Sequence, residues 1–282
     1  MRKMCTLLVK KPRRRPSRVL PLPRLWSCIS NQSYCSRSFR PLFIGATLAH
    51  MAGSITELAE QYDAAVQMLC HHHQCGVNNP YALEDVTRPH LRASDTWFVS
   101  GISGSGKTTI TKMLEGAGYA RLKNVLTRAR RPEETDRDNI FIDTPTFVQL
   151  ENDGALYDPH ITNGTWHALQ KSDVDALVEG SKKFYVDKSV RSTGVLLDAF
   201  PTLTRSTFVY VLPPSFEELW NRISTRERGD LRMPEAEIRA RFEEEIADLK
   251  KTIGIPYAYV VNDTLQRVQD MFIETHALPL PH

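Results

Sequence analysis

The chain has 282 residues, 41% of them hydrophobic and 24% charged, a balance that suits a packed globular core and excludes a fibre or a wholly disordered chain. The most apolar run, residues 41–53, is broken by His50 and falls short of the ~18 residues that a membrane helix needs. The net charge of +3 hides a split: residues 1–56 hold 11 of the 36 basic side chains and no acid, leaving 25 basic against 33 acidic in the remainder. The body would therefore repel nucleic acid and acidic membranes at long range, and any anion site in it must be a local pocket.

Residues 1–50 are rich in Arg and Ser and carry Pro12, Pro16, Pro21, Pro23 and Pro41. Such an acid-free, basic segment fits a mitochondrial or plastid transit peptide. Two other readings stand beside it. Translation could begin at Met51, giving a cytoplasmic protein, or the segment could be a basic nucleic-acid arm. All five cysteines precede residue 76, an odd count that argues for a reducing compartment over a disulfide framework.

Residues 51–94 read as a helical extension and linker. Ser54 and Glu57 have the spacing of a capping box, and the helix they open places Ile55, Leu58, Tyr62, Ala65, Val66 and Leu69 on one face. Cys70-His71-His72-His73-Gln74-Cys75 looks metal-binding, but no second ligand pair follows at a zinc spacing, which favours a polar helix end. Residues 76–94 are expected to be the linker itself.

From residue 95 onward, apolar runs alternate with helical patterns. Strands are predicted at 96–100, 140–143, 184–187, 207–212 and 257–261, with helices starting near Gly106, Thr144, Asp173, Ser215, Pro234 and Thr264. This alternation predicts an α/β domain over 95–282, a mostly parallel sheet covered on both faces. Trp97 and Trp220 fall at core positions, whereas Trp166 suits either stacking on a base or covering a smaller subdomain. His160 and His167 lack the spacing of a triad or metal site. The last long helix should bury Ile238, Phe242, Ile246 and Leu249.

Gly101-Ile102-Ser103-Gly104-Ser105-Gly106-Lys107-Thr108 fits the phosphate-binding pattern G-x-x-x-x-G-K-[ST] at every position, after an apolar strand and before a helix. The glycines let backbone amides turn toward a phosphate, Lys107 can neutralise its oxygens, and the Thr108 hydroxyl, followed by Thr109, can ligate Mg²⁺. ATP and Mg²⁺ are the expected cofactors. Neither Asn-Lys-x-Asp nor a suitably placed Asp-x-x-Gly is present, so a small-molecule kinase is favoured over a GTPase or motor. Downstream, Arg128, Arg130 and Arg131 crowd into a short segment ending at Glu134, and guanidinium forks of this kind suit an acceptor that carries a phosphate.

With these motifs in view, residues 95–276 resemble the guanylate kinases. The loop from Ser103 to Thr108 has that family's wording, and Thr127, Arg128, Arg131 and Glu134 match its Thr-Arg-x-x-Arg-x-x-Glu segment. Pro213-Pro214-Ser215 with Glu218, Leu219 and Arg222 is similar to its stretch after the fourth strand. Arg226 or Arg228, then Glu235, Glu237, Ile238 and Arg241, resembles its lid and following helix, and Val261-Asn262-Asp263 with Leu265 its closing strand and helix.

The resemblance implies a three-layer P-loop kinase fold with a small acceptor-binding subdomain and a lid. It implies phosphoryl transfer from ATP to a nucleoside monophosphate, most readily GMP, by a monomer or weak dimer. Arg128 and Arg131 would hold the acceptor's phosphate, Glu134 would support them, and Lys107, Arg226 or Arg228, and Arg241 would stabilise the transferring group. Asn262 would face the adenine, Asp187 the acceptor and metal, and Asp158 is the nearest counterpart of the guanine-reading Glu. Asn139-Ile140 stands where the family has Asp-Tyr, so one phosphate-binding phenol is missing. Ribose 1,5-bisphosphate kinases, which also lack it, and non-catalytic guanylate kinase-like modules are the alternatives.

Overall fold

The computed structural model describes residues 55–130, 134–135, 139–162, 164–180, 182–225 and 235–278. Helix α1 (Ile55–His72) buries Leu58, Tyr62, Ala65, Val66 and Leu69, the face read from the sequence, while Ile55 stays exposed. Ser54 of the expected capping box lies outside the described residues. The Cys70–Cys75 stretch closes this helix: the Cys75 amide donates to the Cys70 carbonyl at 2.8 Å, and Gln74 takes a left-handed φ of 57°.

Five parallel strands follow: β1 (Thr96–Gly101), β2 (Ala120–Arg121), β7 (Phe184–Asp187), β8 (Thr207–Leu212) and β9 (Tyr257–Val261), ordered β2-β7-β1-β8-β9. Strands covered on both faces read as unbroken apolar runs, and alternate side chains divide between two cores. Trp97, Val99, Val209, Val211, Ala258 and Val260 meet α3 (Lys107–Gly116) and α9 (Leu265–Glu274) on one face. On the other, Phe98, Phe208, Tyr210, Tyr257 and Tyr259 join α1, α6 (Val190–Ala199), α7 (Phe216–Ser224) and α8 (Glu235–Lys250). In α8, Ile238, Phe242, Ile246 and Leu249 are all buried, as expected. Trp97 is fully buried, and Trp220 packs beside Phe216 and Phe242.

A second sheet, β4-β3-β6-β5, is built from β3 (Asn124–Leu126), β4 (Asn139–Phe141), β5 (Leu156–Thr162) and β6 (Thr165–Gln170). Helices α4 (Thr144–Asn152) and α5 (Lys171–Val178) adjoin it. Val125, Phe147 and Ala168 form its own core, against which Ile140 and Trp166 pack, so Trp166 covers the small subdomain.

The expected linker is not one. Residues 76–94 contain α2 (Pro80–Thr87), started by Asn79, whose side chain accepts from the Ala82 amide at 2.8 Å. The reason lies in the sheet. Strand β9 is an edge, and an uncovered edge leaves backbone groups without partners. Here the Tyr259 amide donates to Thr87 Oγ1 at 3.1 Å and the Val261 amide to Glu84 Oε2 at 2.6 Å. Glu84 is fully buried and also binds the Arg267 guanidinium. Helix α2 therefore completes the domain.

Glu84→Ala should lower stability by about 2–3 kcal/mol, because a buried amide loses its acceptor and Arg267 its carboxylate. That corresponds to a fall of roughly 5–10 °C in Tm. Glu84→Gln, which keeps an acceptor oxygen, should lose less. Thermal melts that leave Glu84→Ala at the wild-type Tm would remove this role from α2.

Candidate active site

The phosphate loop joins the end of β1 to the start of α3. Gly106 caps the helix with φ 94°, and a Cβ there would lie 1.7 Å from Asn262 Nδ2, so only glycine fits. Gly104, φ 82°, would likewise drive a Cβ to 2.7 Å from Ile223. The loop is braced from behind. Asn262 Nδ2 donates to the Ser105 carbonyl at 3.0 Å, and Arg222 of α7 reaches the Asn262 carbonyl at 3.2 Å. From α8, Arg241 donates to Ser103 Oγ and, at 3.0 Å, to Glu245 Oε1, while Glu245 Oε2 accepts the Ser103 amide at 2.5 Å.

Lys107 folds back over the loop, its ammonium on the carbonyls of Gly101 at 2.7 Å and Ile102 at 3.2 Å. Thr108 is exposed on the first turn of α3, where helical amides lack intrahelical partners, and the Thr109 amide turns back to the Gly106 carbonyl at 2.9 Å. The Ser105 hydroxyl is buried with no hydrogen-bond partner. These groups fit the phosphates of a nucleoside triphosphate. The described residues hold no cluster of three or more His, Cys, Asp or Glu able to bind a metal alone. A Mg²⁺ carried on nucleotide phosphates needs only one or two protein ligands, and Thr108 can be one.

A cleft of about 310 Å³ opens from this loop toward the second sheet. Gly101, Ser103 and Lys107 line one end, Arg241 and Glu245 the α8 wall, and Asn124, His160, His167, Asp187, Lys188 and Ser192 the remainder, over the buried Tyr210. Asp187 ends β7 beside Val99 of β1 and accepts from Arg121 Nη2 at 3.2 Å. His160 and His167 face each other across β5 and β6 as stacked rings, centroids 5.6 Å apart and 16° from parallel. His160 Nδ1 lies 2.8 Å from the Asp158 carbonyl, which can only accept, so that nitrogen carries the proton. Burial, aided by Lys188, His160 and Arg128, lowers the His167 pKa to about 4, keeping that ring neutral near pH 7.

The sequence-derived residues do not all reach the cleft. Arg128 and Glu134 form a two-pronged ion pair, with Arg128 Nη1 to Glu134 Oε2 at 2.6 Å, and the guanidinium lies 5.3 Å from the centre of the Phe141 ring. Glu134 thus holds Arg128. Asp158 sits at a bulge with φ 50°, and its carboxylate accepts from Ser192 Oγ at 3.0 Å and lies 3.4 Å from His160 Nδ1 and 3.5 Å from Arg191, beside two residues of the cleft wall. Asn262, read as facing a base, has its amide beneath the loop. Ile140 packs in the small core, and Asn139 beside it accepts from Asn124 at 3.1 Å. Arg131, Arg226 and Arg228 lie outside the described residues.

Asn124, His160, His167, Lys188, Ser192 and Glu245 were not singled out as site residues. For the histidines a signal existed: Asn163-Gly164 is a hairpin turn pair, and pairing outward from it sets 160 opposite 167.

No protein-family model matches the chain. Its relatives include the guanylate kinase of Oceanobacillus iheyensis, 30% identical over 181 residues, covering 62% of this chain and 82% of that protein. That of Nitratidesulfovibrio vulgaris is 30% identical over 172 residues, covering 60% and 79%. The Oleidesulfovibrio alaskensis enzyme is 29% identical over 171 residues, with 60% and 79% covered. Among solved structures, guanylate kinase from Anaplasma phagocytophilum aligns with a TM-score of 0.48 at 18% identity, covering 66% of this chain and 84% of that one.

Proposed function

The chain belongs to the guanylate kinase family, and from that premise we propose that it transfers the γ-phosphoryl group of Mg·ATP to GMP, giving ADP and GDP. The observation that carries this reading is the complete phosphate loop opening onto the same cleft as Asp187 and the wall of the second sheet. A non-catalytic module has no need of Lys107 and Arg241 converging on one end of a cleft whose other end can seat an acceptor.

Each residue then has a physical task. The loop amides and Lys107 hold the donor's β- and γ-phosphates. Thr108 and Asp187 would hold Mg²⁺, which when bound neutralises charge on the phosphate oxygens. Arg128, stiffened by Glu134 and near enough to His167 of the cleft to act on it, would contact the acceptor's phosphate. Arg241, set by Glu245 and Ser103, supplies positive charge where the equatorial oxygens gain it. A phosphate acceptor arrives ionised at neutral pH, so no general base is required. The stacked imidazoles offer a flat wall for the base.

A coupled assay of ADP release with GMP, dGMP, AMP, UMP and ribose 1,5-bisphosphate tests the acceptor. GMP should give the highest kcat/KM. Preference for the bisphosphate would move the enzyme to the other branch of phosphokinases. For residues 1–50 we propose mitochondrial targeting: a fusion of this segment to a fluorescent reporter should be imported, and a diffuse cytosolic signal would reject it.

A further inference from the structure

We propose that Lys188 binds the acceptor's phosphate, in place of the phenol absent at Ile140. This rests on the reading of the cleft as a nucleoside monophosphate site, and Lys188 belongs to none of the motifs that led to that reading.

Lys188 follows Asp187 at the end of β7, and its backbone is pinned to the strand that feeds the phosphate loop. Its amide donates to the Val99 carbonyl at 3.2 Å, and its carbonyl accepts from Ser100 Oγ at 2.8 Å. Immediately after it, Ser189 caps α6, accepting from the Ser192 amide at 3.3 Å. The side chain lines the cleft, half-buried. Among the described residues, no hydrogen bond or close ion pair engages its ammonium. The other cations of the cleft are committed, Lys107 to two carbonyls and Arg241 to Glu245 and Ser103.

An ammonium that lines a cleft with no hydrogen bond or close ion pair of its own is placed to meet an anion, with Asp158 and Asp187 acting on it at longer range. Asp158 on β5, His167 on β6, Asp187 on β7 and Arg191 on α6 interact with it electrostatically, and His160, Lys107, Arg241, Glu245 and Asp248 line the same cleft. Asp158, His167 and Arg191 place it toward the acceptor wall, while the donor's phosphates are served by the loop.

The test combines initial-rate kinetics with calorimetric binding of GMP and of guanosine, using the full chain with Lys188→Met and Lys188→Arg. The Met variant should raise KM for GMP about tenfold or more, the scale of a lost hydrogen bond to a charged group, with KM for ATP little changed. Guanosine, which has no phosphate, should bind both proteins alike. Lys188→Arg, which keeps the positive charge, should recover part of the lost GMP affinity. A merely structural lysine would not separate GMP from guanosine in this way.

If wild type turns over GMP while Lys188→Met leaves its KM unchanged, the Lys188 assignment is overturned and the kinase reading stands. If wild type binds GMP without phosphorylating it, the kinase reading fails, and the GMP-to-guanosine affinity ratio still decides: its collapse in Lys188→Met supports the phosphate contact, and its persistence removes it.

Discussion

Lys107→Ala should lower kcat by about 100-fold or more while the protein stays folded. The ammonium rests on the carbonyls of Gly101 and Ile102 at 2.7 and 3.2 Å, at the mouth of the cleft, where water can replace it when the side chain is removed. Stability should therefore change little. Catalysis should not escape so lightly, because preorganised charge aimed at a developing oxyanion is worth ~10²–10³ in rate. Steady-state kinetics paired with a thermal melt separate the two effects. A variant keeping more than about a tenth of the wild-type kcat would show that Lys107 does not meet the transferring phosphoryl group.

Arg241→Ala is expected to follow, with kcat reduced about 10- to 100-fold and KM for ATP raised far less. Arg241 has two functions in the structure. It orders Ser103 together with Glu245, and it presents a guanidinium to the cleft. Contacts confined to the transition state reduce kcat, whereas contacts to bound substrate raise KM. Arg241→Lys should recover part of the charge effect without the forked geometry. A variant altered only in KM for ATP would reassign Arg241 to ground-state binding.

The central sheet was legible because its strands are buried on both faces and therefore read as unbroken apolar runs. Of its five strands, only the two-residue β2 left no such mark. The helix starts near Thr144, Ser215 and Thr264 were legible from side chains that cap them or stand beside the cap: Asp143, Ser215 and Thr264 each accept an amide. The second sheet was harder to read. β3 has three residues, and β5 carries a bulge at the left-handed Asp158 that breaks its alternation. Helix α2 was missed although Asn79-Pro80 is a sound start signal, because its eight residues matter through two side chains, Glu84 and Thr87, aimed at a sheet edge no local pattern reveals.

The site divides along the same line. The donor half is a contiguous motif with fixed spacing, and the loop stands where that motif required. The acceptor half, as proposed, is assembled from β3, β5, β6 and the turn after β7, single residues brought together by topology. Lys188 had no linear signature there, and the histidine pair only the indirect one of the Asn163-Gly164 dipeptide, from which pairing outward sets 160 opposite 167. Asp158 had the right chemical type, and its carboxylate stands beside Ser192 and His160 of the cleft wall.

The most direct measurement is label transfer from γ-labelled ATP to GMP, with products separated so that labelled GDP is distinguished from released phosphate. Labelled GDP should form in wild type, depend on GMP, and fall with Lys107→Ala. Labelled phosphate alone, with no labelled nucleotide at any GMP concentration, would contradict phosphoryl transfer to GMP in this cleft.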